Sequence, residues 1–260
     1  LISACSTNKY ATTNKAHKKQ VKSFSKLLQQ YPLNDSTGLN YPQNFVGTTN
    51  FTMRKPNYVI IHHTAQDSCE QTLRTFTLPR TQVSAHYVIC KDGTVHHMLN
   101  DYLRAWHGGV AKWGNNTDIN SSSIGIEIDN NGFEPFEPKQ IESLLNLLTI
   151  LKNKYKIPTA NFIGHGDIAP TRKIDPNIQF PWVLLANKGY GVWSEPNPAI
   201  PLKDNISVPY ALALVGYDVK DTTAAILAFK RHFRQDSTAT MNELDKSVLS
   251  QLVTKKLSGN

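Results

Sequence analysis

The chain has 260 residues, 40% of them hydrophobic, and a formal net charge of +8. That is enough for one large or two modest domains with a real apolar core, and no apolar run approaches the ~20 residues that a membrane-spanning helix needs. Lys9, Lys15, Lys18, Lys19, Lys22 and Lys26 all precede the first acidic residue, Asp35, and supply six of the eight charges, so the basicity belongs to a tail suited to an anionic membrane or wall surface and no nucleic-acid partner is expected.

At the start, Leu1-Ile2-Ser3-Ala4-Cys5-Ser6 has the small residues before a Cys that mark a lipobox, in which Cys5 would carry a lipid and hold the protein to a membrane. Residues 6–20, rich in Thr, Asn and Lys, read as a flexible tether. Val21, Phe24, Leu27, Leu28 and Tyr31 have helical spacing, so 1–45 is expected to hold a lipobox remnant, a tether and a short helix.

The stretch 46–195 alternates strand and helix signals, which predicts an α/β domain with a central mixed β-sheet flanked by helices. Tyr58–Ile61 reads as a buried strand, and His86–Lys91 and Thr94–Leu99 flank the hairpin signal Asp92-Gly93. In Ser123–Asp129 the three Ile alternate with Gly125, Glu127 and Asp129, which sends Glu127 to the face opposite the Ile side chains. Pro138 suits a first helical turn, and Ile141, Leu144, Leu145, Leu148, Leu151 and Tyr155 continue an amphipathic helix that stops near Pro158. Phe162–Gly164 is a further short strand. After the Pro-rich break at 195–201, Ala225, Phe229 and Phe233, then Leu244, Val248 and Leu252, recur at helical spacing, which makes 196–260 a linker and a small all-α module. Cys69 and Cys90 could meet at the ~4.4–6.8 Å Cα separation of a disulfide, or Cys90 could be a small buried hydrophobe. The sequence leaves both open.

Seven of the nine His lie between positions 62 and 165. His165 closes the apolar run Phe162-Ile163, and a carboxylate, Asp175, follows ten positions on. The run Tyr58–Ile61 ends in His62-His63, of which His62 continues the strand and His63 points the opposite way. Two strand ends that each deliver an imidazole, with one loop carboxylate, supply three positions of a tetrahedral zinc and leave the fourth for water. Glu127 is either an exposed polar residue or a base acting on zinc-bound water. Lys173 is either a surface lysine or an ammonium within reach of the oxygen of a tetrahedral intermediate.

Five segments together resemble the zinc-dependent N-acetylmuramoyl-L-alanine amidases of type 2, a family that also includes peptidoglycan-recognition proteins. They are Val59–Ala65, Ser84–Tyr87, Ala105–Gly109, Ser123–Glu127 and His165–Pro176, in family order across 58–176. The nearest likeness is to the lipoprotein amidases of the Gram-negative outer membrane. This resemblance implies the type-2 amidase fold, one Zn2+ per chain on His62, His165 and Asp175, Glu127 as the catalytic carboxylate and Lys173 as the residue stabilising the intermediate. It places Trp106 and His107 beside the substrate, with His86 and Arg172 as further candidates for substrate contact. Through Gly216–Val219 and Ala228–Arg234 the tail resembles a peptidoglycan-binding three-helix module.

The expected function is hydrolysis of the amide between N-acetylmuramic acid and L-alanine in peptidoglycan or muropeptides. The expected setting is a monomer anchored through Cys5 on the periplasmic side of the outer membrane. The alternative is a non-catalytic recognition protein, and the complete set of five site residues counts against it. A glycan-cleaving lysozyme would need paired carboxylates across a sugar cleft, and only Glu127 stands in a suitable setting.

Overall fold

The structure is a computed structural model and describes residues 9–29, 46–48, 50 and 52–258. Cys5 and Tyr31 lie outside the described residues. The chain divides into two compact units between Thr52 and Met53. The first contains α1 (Ala11–Leu28), none of whose residues is buried. The helix begins well before Val21, so residues 11–20 of the expected tether are helical. The physical reason is composition: Lys15, Ala16, Lys18, Lys19 and Gln20 are all good helix formers, and the poorer Thr12, Thr13 and Asn14 fall in the first turn.

The second unit is built on a sheet of β1 (Tyr58–His63), β2 (Tyr87–Ile89), β3 (Val95–His97), β4 (Ser123–Ile128) and β5 (Phe162–Gly164) in the order β3-β2-β4-β1-β5. Four of these strands run parallel, and β3 returns antiparallel to β2 through Gly93 at φ 88°, a conformation glycine adopts without strain. The helices α2 (Cys69–Thr77), α3 (Ile119–Ser122), α4 (Pro138–Tyr155), α5 (His165–Ile168) and α6 (Trp182–Asn187) join and flank the strands. After them come α7 (Val208–Val215), α8 (Thr222–Arg234) and α9 (Glu243–Leu257). This is the mixed sheet with flanking helices that the alternation predicts; α2, α3, α5 and α6 have no counterpart among the elements the sequence predicts. Cys69 and Cys90 are joined in a disulfide, with Cα atoms 5.3 Å apart, which ties the start of α2 to the end of β2.

Side-chain alternation gives the sheet two different faces. Val59 and Ile61 of β1 join Ile124, Ile126 and Ile128 of β4 in a core covered by Leu144, Leu148 and Leu151 of α4. Ile60 and Ile163 point the other way and share a second core with Leu212, Phe229, Phe233, Val248 and Leu252 of α7, α8 and α9. Phe229 and Phe233 are therefore packing residues, as their helical spacing implied. Asp167 of α5 reinforces the same contact, accepting hydrogen bonds from the Tyr217 hydroxyl at 2.8 Å and from His232 Nδ1 at 2.7 Å.

A chain ending at residue 195 would re-expose Ile60, Ile163, Ile168 and Trp113 and strip Asp167 of its Tyr217 and His232 partners. Each large apolar side chain returned to water costs about 1.5–3 kcal/mol, against a typical total stability of about 5–15 kcal/mol. We expect the truncated protein to lose its cooperative thermal transition, followed by circular dichroism. A sharp melt close to that of the full chain would show the helices to be a dispensable attachment.

Candidate active site

The carboxyl ends of β1, β4 and β5 lie side by side, where open α/β sheets place their ligands. His62 is in register with Glu127 on β4, so both side chains leave the sheet on the same face, beyond Ile60 and Gly125. Ile61 is in register with Gly164 on β5, which sets His165, the first residue of α5, next to His62. Asp175 arrives from the following loop, pinned by the Gly166 N–H, which donates to the Asp175 carbonyl at 2.7 Å. The result is a buried triangle. His62 Nδ1 and His165 Nδ1 are 2.9 Å apart, and Asp175 Oδ2 lies 3.1 Å from the first and 3.0 Å from the second.

These three atoms suit a zinc ion. His165 Nε2 is 3.1 Å from the Gly108 carbonyl, which can only accept, so the ring proton sits on Nε2 and Nδ1 presents a bare lone pair. A bare imidazole nitrogen converging on a carboxylate oxygen in a buried pocket calls for a cation. Bonds of about 2.0–2.2 Å in a tetrahedron would put neighbouring donors about 3.3 Å apart, close to the spacings found. Glu127 Oε1 stands 3.8 Å from His62 Nδ1, and Glu127 Oε2 is buried with no hydrogen-bond partner. Burial pushes the Glu127 carboxyl well above the usual carboxylate range, the Asp175 charge adds to this and Lys173 opposes it. A carboxyl so placed can take up a proton and give it back. Half-buried Lys173 stands close enough for its charge to act on both Glu127 and His62.

The other expected contacts separate. The backbone N–H of Trp106 donates to Ser84 Oγ, and its side chain, with the residue 52% exposed, is open to a ligand. Arg172 donates to the Gly108 and Val110 carbonyls and covers Gly109, which sits at φ 58°, so it braces the 106–110 loop. His107 is buried with one ring nitrogen against His62 and the other against Ser123. His86 is fully buried as well: Nδ1 accepts the Gly125 N–H at 3.0 Å and Nε2 meets the Leu103 carbonyl at 3.0 Å. Neither of its nitrogens is left for a ligand. Sequence reasoning gave no place to Arg54, whose guanidinium donates to the carbonyls of Asp101, Tyr102, Leu103 and Ser121. Backbone carbonyls have no residue signature, so nothing in the sequence marks these contacts.

Burial lowers the His86 pKa from 6.5 to about 4, against a smaller opposing effect of its bond to Leu103. The unfolded chain therefore protonates first as the pH falls. The contribution of neutral His86 to stability is complete above pH 6.5 and drains away toward about pH 4, at about 1.4 kcal/mol per pH unit. Chemical denaturation of wild type and His86→Asn between pH 7 and pH 4 should show a flatter slope for the variant. Equal slopes would place the titration elsewhere.

Comparison with known proteins adds to this geometry. The chain is 35% identical over 208 residues to the N-acetylmuramoyl-L-alanine amidase AmiD of Escherichia coli (strain K12), a match covering 68% of this chain and 74% of the relative. It belongs to the N-acetylmuramoyl-L-alanine amidase family. The family profile (Amidase_2, N-acetylmuramoyl-L-alanine amidase) matches residues 52–178, the span that holds all five candidate site residues. A shorter match, 38% identical over 102 residues, covers 39% of this chain and 55% of the 1,6-anhydro-N-acetylmuramyl-L-alanine amidase AmpD of Haemophilus influenzae. The solved structure of Escherichia coli AmiD in complex with the substrate anhydro-N-acetylmuramic acid-L-Ala-D-γ-Glu-L-Lys superposes with a TM-score of 0.70 at 30% identity, over 81% of this chain and 93% of that one. This amidase, like its relatives, is an enzyme acting on the bond between N-acetylmuramic acid and L-alanine.

Proposed function

We propose that the amidase is a zinc enzyme in which His62, His165 and Asp175 hold one ion per chain and Glu127 and Lys173 carry the proton and charge changes of amide hydrolysis. One observation supports this above the others. Three donor atoms converge within 3.1 Å of one another, and a carboxyl with a partnerless buried oxygen stands 3.8 Å from one of them, His62 Nδ1.

Zinc at that point supplies a Lewis acid that polarises the scissile carbonyl and lowers the pKa of a water. Glu127 takes the proton of the attacking water on its free oxygen and passes it to the nitrogen of L-alanine, which leaves only when protonated. Lys173 sets its ammonium beside the carbonyl oxygen, where negative charge builds as the bond to water forms. Trp106 offers an exposed aromatic face to the muropeptide. In this reading 46–195 holds every reacting group, while 196–260 contains the linker and the helices that close the sheet.

The substrate is a muropeptide or peptidoglycan strand, supported by the anhydro-muropeptide bound in the solved relative. The location is the periplasmic side of the outer membrane, with a lipid on Cys5. The Cys69–Cys90 disulfide supports an oxidising compartment. Among the described residues, no helix is long and apolar enough to cross a membrane.

The test is product analysis on purified muropeptide and on sacculi. We expect new amino termini, lost after chelation and regained with zinc. Reducing sugar in their place would indicate cleavage of the glycan, and wall binding with no product would indicate recognition alone.

A further inference from the structure

Both imidazoles of the triad must present Nδ1, and in both cases the loop 106–109 takes the other nitrogen. For His165 the partner is the Gly108 carbonyl. For His62 it is His107, whose Nδ1 lies 3.2 Å from His62 Nε2. A contact between two imidazoles leaves the position of the proton open, and the next residue along closes it. His107 Nε2 is 3.0 Å from Ser123 Oγ, and that hydroxyl is 2.6 Å from the Ile119 carbonyl. A carbonyl only accepts, so the single hydroxyl hydrogen of Ser123 is committed to Ile119. Ser123 Oγ must then accept from His107, Nε2 of His107 carries the ring proton, and Nδ1 of His107 is left as an acceptor. His62 is obliged to donate from Nε2. The series runs one way, from His62 to the Ile119 carbonyl, and leaves Nδ1 of His62 bare toward His165 and Asp175.

We propose that His107 is a positioning residue of the metal centre, which together with Ser123 fixes the tautomer and ring orientation of His62. This deepens the zinc reading of His62, His165 and Asp175 and rests on it. The chain is shaped to admit the ring. A Cβ on Gly125 would lie 2.4 Å from His107 Cγ, so β4 has a glycine where the imidazole crosses it. Asn120 Oδ1 accepts the N–H of His107 at 3.2 Å and of Gly108 at 2.8 Å, which holds the partners of both ligand imidazoles on one anchor. The series ends on a neutral carbonyl and not on a carboxylate, so it orients His62 without adding negative charge to the site, and the electrophilicity of a bound ion is undiminished.

The test uses the full chain and two readouts that do not depend on turnover: zinc affinity by competition with a chromophoric chelator, and imidazole 15N spectra of the zinc-loaded protein. His107→Phe keeps an aromatic ring over Gly125 and removes both nitrogens, and it should weaken zinc binding about 10–100-fold. Ser123→Ala, the smaller change, should weaken it in the same direction and let His107 populate both tautomers. It decides the matter if His107→Phe fails to fold. His107→Asn, whose amide oxygen can stand near the place of Nδ1, should recover most of the affinity, and failure to recover would count against the hydrogen bond as the cause. In zinc-loaded wild type, His62 and His107 should each carry their proton on Nε2. A His107 protonated on Nδ1, or variants that bind zinc as tightly as wild type, would overturn the positioning role alone. A wild-type chain that takes up no zinc would overturn the metal reading and this inference with it.

Discussion

Asp175→Ala should lower bound zinc from one per chain to a small fraction and take muropeptide hydrolysis to the limit of detection. Asp175 Oδ2 is the one anionic donor of the triangle, 3.1 Å from His62 Nδ1 and 3.0 Å from His165 Nδ1. Without it two neutral nitrogens remain, too few to retain a zinc ion against water at a site that must be assembled from separate segments. His165→Ala should behave alike. The measurement is metal content after gel filtration, paired with release of new amino termini. Chelated wild type should regain activity with added zinc, and Asp175→Ala should not. If Asp175→Ala kept full metal and full turnover, the triangle would be a hydrogen-bonded cluster and the chemistry would need another centre.

Glu127→Gln should leave zinc content unchanged and lower kcat by about 10²–10⁴, the usual worth of positioned acid–base help. The substitution keeps the volume of the side chain and removes its capacity to accept a proton, while the three donor atoms stay as they are. The pH profile gives a second readout. Burial raises the Glu127 pKa, and the charge of an ion held by His62, His165 and Asp175 would oppose that. The acid limb of kcat/KM that reports Glu127 should be present in wild type and absent from the residual activity of Glu127→Gln. Lys173→Ala should lower kcat by about 10²–10³ with little change in KM, since its charge is used where negative charge develops. Loss of zinc from Glu127→Gln would make Glu127 a structural residue.

Of the candidate site, the side chains that the structure brings together were legible and their surroundings were not. His62 and His165 stand out because each closes a short apolar run, Asp175 because it follows His165 by ten positions, and Glu127 because it is a carboxylate alternating with Ile in its strand. His86 and His107 sit in equally conspicuous motifs, but their motifs do not say whether the ring faces outward. Burial answers that: His86 is 0% and His107 is 8% exposed, so both rings face inward. Arg172 likewise went to the loop it braces. α1 starts ahead of the apolar spacing at Val21 because the helix propensity of the Lys- and Ala-containing run before it extends the helix to Ala11.

The sequence by itself determined the strands, the longest helices and the candidate site side chains, because strand and helix periods are local and because the chemistry proposed for the site restricts the residue types that can serve. Only the tertiary structure decided how those pieces meet. His62 is 45 residues from His107, and Gly108 is 57 from His165. The register of β1 against β4, the pairing of Cys69 with Cys90, and the core that Ile60 and Ile163 share with α7, α8 and α9 are of the same kind. Contacts between distant segments depend on chain packing and on backbone groups that every residue carries, so they leave no local pattern in the order of side chains.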